Sequence, residues 1–144
     1  MTALARCCLA IALVCVPLAT TALANKPVPN GPLKAYKGPE GELIVLVPVN
    51  DSKEMLVHFR NIGGTLDGKT LLYLFEDHGD ERQEVYVNKK RGSKTYRSYV
   101  LTDYQRGSWL FVNPEKTSSS FRVRYSETDS KNIKVDEVVG AYKP

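Results

Sequence analysis

Leu43-Ile44-Val45-Leu46-Val47-Pro48-Val49 is the stretch on which the fold turns. Successive side chains of a strand point to opposite faces. Leu43, Val45, Val47 and Val49 therefore share one face, and Ile44, Leu46 and Pro48 share the other. Both faces are apolar, which predicts a strand covered on both sides.

Working outward, Asn50-Asp51-Ser52-Lys53 is a turn cluster. Met55, Val57 and Phe59 then alternate with Leu56, His58 and Arg60, the pattern of a half-buried strand. Leu72 and Leu74 alternate with Leu71, Tyr73 and Phe75, and Val85 and Val87 with Glu84, Tyr86 and Asn88. Further strands are expected around Tyr96 to Leu101, Trp109 to Val112 and Ser120 to Tyr125, with a last one starting at Ile133 and Val135. The stretch from Asp136 to Tyr142 reads as a strand end or a short turn of helix. About eight strands at intervals of roughly 11 to 16 residues, each bounded by turn residues, predict an all-β domain. Its strands pair antiparallel, because the links are too short for helical crossovers. A small barrel and a two-sheet sandwich both fit.

Three segments are expected. Residues 1–24 have the parts of a secretory signal: Arg6 in a short head, an apolar run from Cys7 to Val16, Pro17, and a small-residue exit at Ala22-Leu23-Ala24. That run is shorter than the roughly 20 residues of a membrane span, so no transmembrane segment is expected after cleavage. Cys7 and Cys8 open the apolar run, ahead of its core, and Cys15 lies inside that core, which does not match a lipid-anchored cysteine. Residues 25–41 hold Pro27, Pro29, Pro32 and Pro39 with three glycines and read as an extended arm. Residues 42–144 form the β domain.

All three cysteines lie in the signal, so the mature domain has no disulfide, cysteine nucleophile or thiolate metal site. A cysteine-free exported domain points to bacterial export, to the periplasm or beyond. Asn50-Asp51-Ser52 is a formal glycosylation sequon. Removing Arg6 with the signal lowers the net charge from +4 to +3, too mild for nucleic acid to be the expected partner.

Several motifs invite sharper readings. Gly63-Gly64-Thr65-Leu66-Asp67-Gly68-Lys69-Thr70 fits the phosphate-cradling G-x-x-x-x-G-K-T pattern. A strand, not a helix, is expected to follow it, so it reads as a glycine-rich connection. Glu76-Asp77-His78-Gly79-Asp80-Glu81 gathers carboxylates and a histidine, yet its spacing is not that of a calcium loop and it is a thin zinc set. A solvated hairpin loop is expected there, with no metal and no cofactor. His58 and His78 are the only histidines. No nucleophile elbow or H-E-x-x-H occurs, and the expectation is a protein that is not an enzyme.

The candidate binding surface is basic and aromatic. Lys89, Lys90, Arg91 and Lys94 gather at a hairpin tip, flanked by Tyr86, Tyr96, Arg97, Tyr99, Tyr104 and Arg106. The expected binding set is Lys89, Lys90, Arg91, Lys94, Tyr96, Arg97 and Tyr99, with Arg122 and Arg124 adding to a later strand. Tyrosine and arginine are enriched where surfaces bind. The plainer account is that lysines blunt sheet edges and tyrosines favour strands. These features favour an exported, non-enzymatic binding protein of the envelope or extracellular space, whose partner is another protein such as a hydrolase it inhibits. The alternatives are acidic polysaccharide or lipid headgroups, or a small molecule carried inside a barrel.

Overall fold

The computed structural model describes residues 26–51, 53–77, 79, 83–89, 97–103, 109–113 and 121–144. Along 83–85, 89, 97–103, 109–113 and 121 it describes the backbone alone. The strands are β1 (Lys34–Lys37), β2 (Leu43–Val49), β3 (Glu54–Arg60), β4 (Thr70–Glu76), β5 (Gln83–Lys89), β6 (Arg97–Asp103), β7 (Trp109–Asn113) and β8 (Phe121–Tyr125). A single 3-10 turn, Gly64–Leu66, links β3 to β4, and two short helices follow β8: α1 (Glu127–Asn132) and α2 (Val135–Gly140).

The chain is thus mostly antiparallel β with few helices, as the alternation predicts. Each strand pairs with the next in chain order, and the sheet curls until β8 meets β1 through Tyr36 opposite Tyr125 and Lys37 opposite Arg124. Among the described residues no helix is long and apolar enough to cross a membrane.

The two faces of β2 go to two separate cores. Ile44 and Leu46 point to the concave side of the sheet, where they pack with Tyr36, Met55, Val57, Phe59, Leu66, Tyr73, Tyr86 and Val123. Phe59 and Tyr73 meet ring to ring at 6.3 Å between centroids, a tilted contact. Val45, Val47 and Val49 point the other way and pack with Ala35, Leu56, Val138 and Val139. Strand β3 is therefore buried on both faces, not half-buried as its alternation predicts. The polar-looking face that carries His58 is covered by α2.

Two further differences concern the ends of the domain. The segment read as a proline-rich arm contributes β1, and Pro29 bridges to Val49. Asn50 fastens that arm: its backbone N–H donates to the Val28 carbonyl at 2.8 Å, and its side-chain oxygen accepts from the Val28 N–H at 3.1 Å. The sequon asparagine is thus engaged in the fold, its amide also donating to Glu54.

The strand expected from Ile133 and Val135 is not formed; helices stand there instead. Ser126 caps α1 by accepting from the Asp129 N–H, its hydroxyl donates to the Asp129 carboxylate at 2.6 Å, and Glu127 pairs with Lys131 one turn on. Capping of this kind satisfies helix N–H groups that would otherwise lack partners. In α2, Val138 and Val139 are buried, and Val135 before them and Tyr142 after them are partly buried against the same core. That is the i, i+3, i+4, i+7 stripe of a helix, not the alternation of a strand.

Phe59 sits at the centre of the concave core with no exposed surface. Phe59→Ala is expected to lower the unfolding free energy by about 3–5 kcal/mol in urea denaturation. A loss below about 1 kcal/mol would mean that the concave side is not packed around this ring.

Candidate functional site

A connected polar arrangement lies under α2. His58 projects from β3 on the face opposite Val57 and Phe59, and it is buried. Its Nδ1 is 2.8 Å from the Thr70 hydroxyl on β4. Thr70 donates its own proton to the Val138 carbonyl at 3.1 Å. The Thr70 oxygen is then an acceptor for a proton on Nδ1, which leaves Nε2 bare. Nε2 accepts from Arg60 Nε–H at 2.9 Å, and Arg60 Nη2 pairs with the Glu137 carboxylate at 2.6 Å.

His58 therefore holds α2 by two routes. One runs through Thr70 to the Val138 carbonyl, and the other through Arg60 to the side chain of Glu137. Burial pushes the His58 imidazole below the ordinary histidine range; the adjacent Arg60 guanidinium pushes it the same way, against Glu137, a hydrogen bond to the Lys69 backbone, and Asp67. The neutral ring is the form this arrangement uses. The Thr70 hydroxyl beside the histidine gives its proton to the Val138 carbonyl, and the cluster reads as a fastening.

Thr70 closes the G-x-x-x-x-G-K-T pattern. Strand β4, not a helix, begins at Thr70 itself. The loop is tied to its own hairpin: Gly68, at φ +72°, donates to the Phe59 carbonyl at 2.8 Å, and Ile62 N–H donates to Asp67. The left-handed backbone at Gly68 accounts for that glycine without a phosphate. The threonine that would meet a metal ion in a nucleotide site is here buried against His58.

Of the acidic loop, Glu76 ends β4 and Asp77 accepts from the Gly79 N–H at 2.8 Å; His78 and residues 80–82 lie outside the described residues. No metal-ligating cluster occurs among the described residues.

Of the basic set, Lys90, Arg91, Lys94 and Tyr96 lie outside the described residues, as do Tyr104 and Arg106. The backbones of Lys89, Arg97 and Tyr99 lie in the β5–β6 ladder, where Lys89 stands opposite Arg97 and Tyr99 opposite Val87. Tyr86 is buried in the concave core against Phe75, so it is not part of a binding face. Lys37, Arg122 and Arg124 are exposed, and Lys37 stands opposite Arg124 across β1 and β8. Comparison with protein-family models, curated proteins and solved structures finds no match.

The fastening of α2 was not legible in the sequence as a site, since Arg60 and Glu137 are distant along the chain. Thr70→Val removes both the acceptor for His58 and the donor to Val138. It is expected to cost about 1–3 kcal/mol of unfolding free energy, the usual cost of stranding buried polar groups. A change within about 0.5 kcal/mol would show that these two bonds hold nothing.

Proposed function

We propose that this chain is an exported, non-enzymatic binding protein of the cell envelope or extracellular space, which engages an acidic face of another protein, such as a hydrolase it inhibits. One observation carries the reading: Lys37 of β1 and Arg122 and Arg124 of the adjoining β8 are exposed and gather positive charge on one stretch of the sheet. A negatively charged partner is attracted to such a surface, which steers the encounter.

The tip from Lys89 to Lys94 supplies four cations within six positions, and Tyr96 and Tyr99 supply contact area with polar ends. We take the scaffold as a barrel of eight strands closed by the short β8–β1 ladder. Tyr36, Phe59 and Tyr73 packed on its concave side favour a rigid platform over a carrier with a ligand inside. The signal pattern in residues 1–24 supports export.

Residues 25–144 used as bait in envelope extract are expected to retain one stoichiometric protein at both low and moderate salt. Replacing Lys89, Lys90, Arg91 and Lys94 together with Ser is expected to weaken that complex at least about tenfold, or 1.4 kcal/mol, with the melting temperature unchanged. Unchanged affinity would remove the tip from the interface. Retention of polysaccharide or lipid alone, lost at moderate salt, would transfer the basic face to an envelope polymer.

A further inference from the structure

We propose that His58 makes helix α2 an acid-released cover, so that lowering the pH lifts α2 and uncovers the apolar convex face of β1–β3. Of the two bonds that His58 directs toward α2, the one at Nε2 depends on its protonation state, while the Nδ1–H bond to Thr70 is kept in the charged ring. With Nε2 bare, the ring accepts from Arg60, and Arg60 is aligned on Glu137. A proton on Nε2 turns that acceptor into a donor facing another donor, beside a guanidinium that is always charged. Arg60 must then leave the ring, and the ion pair that pins Glu137 leaves with it.

The surroundings set the sign. From β3 itself the facing charge is Arg60, which opposes protonation; from α2 it is Glu137 and from the β3–β4 loop Asp67, both of which favour it. Thr70 on β4 is uncharged, and Val45, opposite on β2, is apolar. Burial and Arg60 prevail, so the folded-state value is depressed. A depressed value means that the unfolded or open form binds the proton more readily. The contribution of His58 to closure is present above about pH 6.5, the ordinary histidine value, and is lost as the pH falls through the folded-state value.

Helix α2 is the element that responds because it is only six residues long. Isolated helices that short are not stable in water, so this one depends on its docking. Lifting it exposes Val45, Val47 and Leu56, all fully buried when it is closed. In an exported protein, whose surroundings vary in acidity, this gives an apolar surface present only in acid.

Amide hydrogen exchange of the intact mature chain tests the proposal, at pH 7 and pH 5 and corrected for intrinsic rates. Ala141 and Tyr142, whose N–H groups bond to the Glu137 and Val139 carbonyls, report on α2. Their opening constant is expected to rise at least about fivefold between the two conditions, within the ceiling of tenfold per pH unit that one proton allows. Amides of β2 change far less, and the midpoint coincides with the His58 titration followed by NMR. His58→Gln, which cannot titrate, abolishes the rise; if that variant does not fold, Arg60→Met, which removes the donor facing Nε2, reduces it to below about twofold. The proposal is overturned if α2 protection does not change with pH, if β2 opens equally, or if the rise persists in the folded variant. The first outcome would mean that Glu137 re-pairs directly with the protonated ring.

Discussion

The structure depends on a strand that is apolar on both faces. Residues 43–49 bury Ile44 and Leu46 on one side and Val45, Val47 and Val49 on the other. A sheet that curls can cover only its concave side with its own strands. The convex side of β2 needs a second cover, and the chain supplies it from its C-terminal end. Val138 and Val139 of α2 reach Val45, Val47 and Leu56, while Ile133, Val135 and Tyr142 complete the edge of that cluster. Each fully buried valine contributes about 1.5–3 kcal/mol.

That cover creates the chemical peculiarity of the molecule. A helix laid over β3 places His58 in the interior, and a buried imidazole requires partners for both nitrogens. Thr70 and Arg60 provide them, and each passes the connection on to α2. The apolar contact and the polar fastening therefore hold the same six-residue helix. The apolar contact and the Thr70 link do not depend on the charge of His58, and the Arg60 link does. The N-terminal arm closes a neighbouring edge independently, through the two backbone hydrogen bonds that join Val28 and Asn30 to Asn50 and Pro48.

Much of this was legible in the residues. Alternation placed β2, β3 and β4, since the period of two survives even where both faces are buried. The two-sided apolar run predicted a cover for β2 but not its source, because nothing local ties residue 45 to residue 138. The first helix was missed, and the second was left between a strand end and a short turn of helix, for a different reason. Ser126-Glu127-Thr128-Asp129 is a capping signature, and Val135, Val138, Val139 and Tyr142 keep helical spacing. In segments of six residues those signals compete with valine's preference for strands, and tertiary docking decides. The arm was read from its prolines, whereas Lys34–Lys37 between them hold none and pair on both sides. Within the site, Arg60 and Glu137 meet only after folding, and no spacing rule marks such a pair.

Helix α2 is the convex cover on which β2 and β3 rely. Placing a carboxylate beneath it tests this most directly, because Val138 has no exposed surface. Val138→Asp is expected to lower the unfolding free energy, measured by urea denaturation at pH 7, by about 3 kcal/mol or more, as for any unpaired charge forced into an apolar contact. A change within about 0.5 kcal/mol, the range of ordinary surface substitutions, would contradict it and leave the outer face of β2 without the partner assigned here.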